Sequence, residues 1–287
     1  GYPALKSAFK LETGQTYRVL TVIRGTRIYT LISAESSSAK DTIQPGMFFK
    51  SFRFKNADHS NWTIQKSDEG HFSTLSPSKF KQVVEQPEQK QYLSSESYYS
   101  FDEFSGDKLF VTRKVFSPYY QGDCDSTFFR NLLGEILSEE DSVVSQEKIS
   151  NDPPSYVYSY ISPKNHIITN AKYILRGRSL FSLLVMYPRL YENIHPAVQS
   201  IRLFEVADTL NPGNLPENKT LTLLADLSSG DTTQSYPAKE ALQFYEFKKE
   251  EIPLVWQTLN QPFNDDTLKY NSSRVLLINS IGPLLDS

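Results

Sequence analysis

The feature that most constrains this chain is an internal repeat, because a segment that recurs must fold the same way twice. Residues 17–32 read YRVLTVIRGTRIYTLI and residues 170–184 read NAKYILRGRSLFSLL. With Arg24-Gly25 laid on Arg176-Gly177, the pairs Val22/Ile174, Ile23/Leu175, Ile28/Leu180, Tyr29/Phe181 and Leu31/Leu183 agree in character. Each copy reads as a β-hairpin, with Gly25-Thr26 and Gly177-Arg178 as Gly-X type II′ turns between β-branched and aromatic runs. Downstream, Ser51-Phe52-Arg53-Phe54 matches Ser200-Ile201-Arg202-Leu203 after a shift of three residues. The expected unit is hairpin, helix, strand, over residues 17–54 and again over 169–205.

Between the copies, His71–Leu75 and Lys108–Phe116 read as strands. Ser126–Leu137 places Phe128, Phe129, Leu132, Leu133, Ile136 and Leu137 at three- and four-residue spacings, an amphipathic helix with Asp123, Asp125 and Ser126 as candidate caps. SYVYSYIS after Pro153-Pro154 alternates with period two and stops at Pro163, another strand. LNPGNLPENK then marks a linker. Beyond it helical periods run over Leu221–Leu227, Ala238–Phe247, Ile252–Leu259 and Leu268–Leu285, expected to pack as antiparallel hairpins through Leu224, Leu242, Trp256 and Leu276.

The Gly-Tyr-Pro start, the Arg-Gly-x-Arg-Ile-Tyr hairpin and the Phe-Phe-x-Ser-Phe-x-Phe ending of residues 1–54 resemble the carboxy-terminal half of a PsbP-like domain. That fold is shared by the photosystem II extrinsic protein, a Ran-binding nuclear transport factor and many bacterial envelope proteins. Arg176-Gly177, Phe181 and Ser200-Ile201-Arg202-Leu203 hold matching positions in a second copy, where Ile161–Ile168 replaces Gly-Tyr-Pro. The resemblance implies an α+β fold, an antiparallel sheet flanked by helices, repeated. Residues 1–57 are expected to be half of a first module, 62–207 a complete second one, and 216–287 an all-α helical-hairpin domain, HEAT-like and ending before a capping helix. Ran binding and manganese chemistry do not carry over, since no functional residue of those families is matched here.

Charge and composition remove several functions. A net charge of −3 gives no electrostatic footprint for nucleic acid, and no apolar run approaches the roughly 20 residues of a membrane-spanning helix. Cys124 is the only cysteine, which excludes an internal disulfide or a thiolate metal cluster, and flanking Asp123 and Asp125 disfavour its thiolate. His59, His71, His166 and His195 share no metal-binding spacing, so no metal site is expected. Nucleophile elbows and phosphate loops are absent, so neither a catalytic residue nor a cofactor is assigned. Asp102-Glu103 and Glu139-Glu140-Asp141 read as solvated loop acids, and the sequons at Asn61, Asn218 and Asn271 match chance.

Aromatic side chains rise above this background. Tyr156, Tyr158 and Tyr160 share one face of a strand, and Tyr98, Tyr99, Tyr119 and Tyr120 are expected in neighbouring loops. They either line a recognition surface or pack beneath a helix with their hydroxyls at its rim. The expected function is a non-enzymatic binding or scaffold protein for a protein or small apolar ligand, extracytoplasmic in a bacterial envelope if a signal peptide precedes Gly1. The alternatives are a hydrolase whose carboxylates converge from loops and a lipid carrier with an enclosed cavity. Carboxylates of raised pKa in a groove would favour the enzyme, and an open tyrosine-lined face the binder.

Overall fold

The computed structural model describes residues 3–24, 27–35, 45–54, 62–85, 89–102, 105–164, 167–188, 196–207 and 213–285. The turn Gly25-Thr26, Glu103, Phe104, and His59, His166 and His195 lie outside these residues. Among the described residues, thirteen strands and seven helices follow in the order β1 (Ala4–Lys10), β2 (Thr16–Arg24), β3 (Arg27–Glu35), α1 (Pro45–Ser51), β4 (Thr63–Lys66), β5 (Phe72–Ser76), β6 (Lys81–Glu85), β7 (Tyr92–Phe101), β8 (Lys108–Phe116), α2 (Ser126–Gly134), β9 (Ser142–Asn151), β10 (Pro154–Ser162), β11 (Ile167–Arg176), β12 (Ser179–Pro188), α3 (Pro196–Arg202), β13 (Glu205–Val206), α4 (Thr220–Leu227), α5 (Thr232–Ala241), α6 (Ile252–Leu259) and α7 (Ser273–Leu285). No helix among these residues is long and apolar enough to cross a membrane.

The large sheet is antiparallel throughout, in the order β6-β7-β8-β12-β11-β10-β9. Strand β11 is buried along most of its length on both faces and carries Thr169, Asn170 and Lys172 among its apolar residues, whereas β8 alternates. On one face Leu109, Val111, Phe181, Leu183 and Val185 meet Ala197 and Ile201 of α3 and Phe72 of β5. The opposite face carries Tyr156, Tyr158, Ala171, Tyr173 and Leu180 against Phe129, Leu132 and Leu133 of α2. The antiparallel sheet flanked by helices is therefore present over residues 62–207.

Local chemistry places both covering helices. Asp125 caps α2 by accepting from the Thr127 and Phe128 amides at 2.8 and 2.9 Å, so of the three candidate caps the one at the end of the extended chain serves. Helix α3 is tied to β5 twice, by Ser200 Oγ donating to the Leu75 carbonyl at 2.6 Å and Thr74 Oγ1 donating to the Ser200 carbonyl at 2.8 Å. Lys172 reaches from the sheet to donate to the Ile201 and Phe204 carbonyls at 3.0 and 3.1 Å, satisfying the end of α3.

Each of the two similar segments forms an antiparallel hairpin followed by a seven-residue helix that begins at a proline, Pro45 or Pro196. Arg24 pairs with Arg27 and Arg176 with Ser179, so both connections hold two residues. Gly177 has φ +58°, as the first central position of a type II′ turn requires. The shared Ser-apolar-Arg stretch differs from the expected strand. Ser200–Arg202 ends a helix, residues 52–54 form no strand, and the strand after α3 is Glu205–Val206. In the first segment β1 adds a third strand, in the order β1-β2-β3.

Helices α4–α7 bury Leu223, Leu224, Leu227, Leu242, Val255 and Leu277 together. Trp256, expected in this core, is 48% exposed, because Val255 and Leu259 hold the buried face of α6. The run read from Ala238 instead starts at Thr232, where Asp231 accepts from the Thr233 amide at 2.8 Å, and Pro237 is carried inside the helix. The last helix starts at Ser273, whose amide donates to Asp265. Among the described residues several contacts join the two sides of the linker, the Tyr120 and Phe244 rings 6.5 Å apart among them. Leu215 fills the core under α2, and Tyr119 joins the helical core while donating to Asp226 Oδ2 at 3.0 Å.

Candidate functional site

Helix α2 is short, and it covers only part of its sheet face. Register defines a row of side chains across that face: Tyr99 opposite Phe110, Phe110 opposite Leu184, Leu184 opposite Ala171, and Ala171 opposite Tyr158. The Ala171–Tyr158 end lies beneath α2 and is fully buried, whereas Phe110 and Tyr99 keep 38% and 37% of their surface. Beside the helix the uncovered strip deepens into a half-open groove of about 180 Å³. Its walls are Leu180, Leu184, Leu132 and Ile136, with Thr112, Ser182 and Tyr173 between them and the opposite charges of Lys114 and Glu135 at its edges. The Lys114 ammonium lies 4.9 Å from the centre of the Tyr92 ring. Tyr173 is buried, its hydroxyl has no hydrogen-bond partner among the described residues, and desolvation raises its pKa.

The structure separates the seven candidate tyrosines. Tyr156, Tyr158 and Tyr160 are all buried under α2, with the Tyr156 ring 4.6 Å from that of Phe129, so the stripe is core and not an open surface. Tyr98 and Tyr99 belong to strand β7, not to a loop: Tyr98 points into the α3 face against Phe72, 5.0 Å between ring centres, and Tyr99 points to the α2 face. Tyr119 is buried in the helical core, and Tyr120 stacks on Phe116 at 4.4 Å. Tyr99 alone of the seven remains substantially exposed.

Titratable groups gather in two other places. His71 is buried at the start of β5, its amide donating to Ser67 Oγ at 2.7 Å. Its Nε2 lies 3.1 Å from Glu69 Oε2, and its Nδ1 faces Glu96 Oε2 at 3.5 Å without a hydrogen bond. Glu96 also accepts from Arg113 at 2.9 Å and from the Tyr98 hydroxyl at 2.8 Å. These ligand atoms lie within 4.8 Å of one another, close enough to consider a cation. One ion, however, takes one imidazole nitrogen, and here opposite nitrogens face the two carboxylates while Arg113 already neutralises Glu96. The ring acts as a strut between acids. Sequence spacing gave no sign of this cluster, because β5 and β7 bring its members together only through the sheet packing.

The second place is the β7–β8 loop, where Asp102, expected to be solvated, is instead buried and accepts from Trp62 Nε1 at 3.0 Å. Asp107, with no exposed surface, accepts from Ser105 Oγ at 2.6 Å. Burial pushes its pKa up to about 7, the Ser105 bond opposing and Asp102 adding to the shift. A carboxyl of raised pKa is thus present, but Asp107 does not line the groove beside α2. Cys124 is equally unsuited to attack: desolvation, then Asp123 and Asp125, raise its thiol to about 11.

Comparison with known proteins adds little beyond this geometry. No protein family matches the chain, and neither does any curated protein. The solution structure of PsbP from the cyanobacterium Synechocystis is similar over 55% of this chain and 99% of that one, at 9% identity and a TM-score of 0.39. A crystal structure from Bacteroides thetaiotaomicron is similar over 78% of this chain and 79% of that one, at 14% identity and a TM-score of 0.27.

Proposed function

We propose that this chain is a non-enzymatic binding protein, and that it holds a protein partner on the sheet face that α2 leaves uncovered. The observation that carries this reading is the continuous strip from Tyr99 and Phe110 into the groove bounded by Leu184 and Ile136. Its volume supports this reading for this face. About 180 Å³ is below the 300–1,000 Å³ usual for small-molecule sites, and it is open, so it suits a single anchoring side chain of a peptide better than a lipid tail. Tyr99 and Phe110 on the adjoining strip offer rigid area, and Lys114 and Glu135 in the groove offer orientation by charge. We further propose that residues 1–57 and 62–207 are two related PsbP-like modules, one partial and one complete, and that residues 216–287 form a HEAT-like segment. The paired hairpins and proline-initiated helices support the first idea, and the core shared by α4–α7 supports the second.

The binding reading is tested by selecting displayed peptides on the full chain, with counter-selection on a Phe110→Asp variant. The expected result is a family of peptides sharing one aromatic or branched apolar anchor that binds the parent and loses at least tenfold in affinity on the variant. Enriched peptides that bind both equally would refute this face as the site.

A further inference from the structure

Charge is distributed very unevenly along the chain. Residues 1–57 contain nine Lys or Arg and three Asp or Glu, a net +6, so the remaining 230 residues carry −9 of the overall −3. Part of this excess is concentrated in one place. On the three-stranded sheet Lys6 pairs with Leu20 and Ala8 with Arg18, so the four share a face. Helix α1 adds Phe49 and Lys50, and together they bound a half-open groove of about 400 Å³, within the range of small-molecule sites, with no acidic side chain among the described residues of its lining. Leu20, Ala8 and Phe49 make an apolar bed, and Lys6, Arg18 and Lys50 make a cationic rim.

The other face of the same sheet differs. Direct pairing places the exposed Leu5, Phe9, Ile23, Ile28 and Ile32 there, away from Lys6 and Arg18. The cations and the exposed aliphatic face therefore point in opposite directions. A membrane surface engages a protein by apolar insertion and lipid-charge attraction on the same side, which the two faces of this sheet do not offer. A molecule small enough to enter the groove meets both features at once.

We propose that the groove between α1 and the β1-β2-β3 sheet binds a free single-chain organic anion, a carboxylate carried on an aliphatic body. The carboxylate lies against Lys6 and Lys50, which supply point charges. The aliphatic chain lies on Leu20, Ala8 and Phe49. This site shares no residue with the strip beside α2, so it stands or falls independently of the protein-binding reading.

Decanoate is a suitable probe, titrated into the full chain at low ionic strength by calorimetry and by amide chemical shifts. One-to-one binding with shifts centred on Lys6, Leu20 and Lys50 is expected, weakened about tenfold or more in Lys6→Glu/Lys50→Glu and at least as much for neutral 1-decanol. Lys6→Gln/Lys50→Gln, milder in charge, should fall between, and circular dichroism checks that each variant is folded. The proposal is overturned if decanoate does not bind at about 1 mM, an order-of-magnitude ceiling. It is equally overturned if decanol or the charge-reversed variant binds as well as the parent does decanoate, or if anionic vesicles bind while decanoate does not.

Discussion

Replacing Asp107 with Asn should stabilise the protein at alkaline pH and not at acid pH. The folded-state pKa is about 7 against an ordinary 3.8, so the folded chain holds a proton that the unfolded chain releases. Below 3.8 both states are protonated and the contribution is fully present. Between 3.8 and 7 the unfolded state binds fewer protons, so stability falls as pH rises; above 7 both are ionised and the slope ends. At about 1.4 kcal/mol per pH unit the whole interval amounts to about 4 kcal/mol, an upper bound because the loop can relax around the charge. Asn keeps an oxygen to accept the 2.6 Å bond from Ser105 and removes the titration. Urea melts at about pH 4 and pH 8 measure it, the difference between variant and parent cancelling the titrating groups that are not coupled to Asp107. That difference should move in favour of the Asp107→Asn variant by about 2–4 kcal/mol between the two pH values. A difference that is flat with pH would refute the buried, neutral Asp107.

Three further outcomes follow from the packing. Lys172→Met should cost about 2 kcal/mol in a chemical melt, since two buried carbonyls at the end of α3 lose their donor; a neutral effect would mean that water replaces it. Phe129→Ala should cost about 3–5 kcal/mol by the same measurement, because the ring is fully buried against Tyr156 and the cavity cannot close under a short helix; a loss under about 1 kcal/mol would show that α2 collapses into the space. Truncation after residue 217 should leave a cooperatively melting β-rich core, whereas truncation after 210 should be less stable by about 2–4 kcal/mol through loss of buried Leu215; equal melts would place Leu215 outside the core.

Much of the architecture was legible because it rests on local periodicity. The hairpins around Gly25 and Gly177, strand β8, the α2 stripe and helices α4 and α6 each announce themselves through spacing. Strand β9 did not, since nearly all its residues are exposed at the sheet edge and no alternation of burial is imposed on them. Strand β1 escaped for the same reason, with all seven residues exposed. Strand β7 was hidden by its serines: YLSSESYYSF looks loop-like, yet Tyr92 and Tyr98 enter different cores. The tyrosine stripe of β10 shows its periodicity in the sequence, but period two says which side chains share a face and not what covers that face. The position of α2 decides it. That position also creates the strip at Tyr99 and Phe110, residues drawn together across β7 and β8 from opposite sides of a loop. Leu184 and Ile136 add a third strand and a helix end, which no sequence window contains.

The most direct test of the binding surface is a methyl-resolved NMR titration of the full chain with an anchor peptide obtained by the selection above. Shifts should concentrate on Leu180, Leu184, Leu132 and Ile136, with Leu223 and Leu277 in the helical core unmoved. Saturable shifts elsewhere, with those four methyl-bearing residues silent, would contradict a partner seated on the face that α2 leaves uncovered.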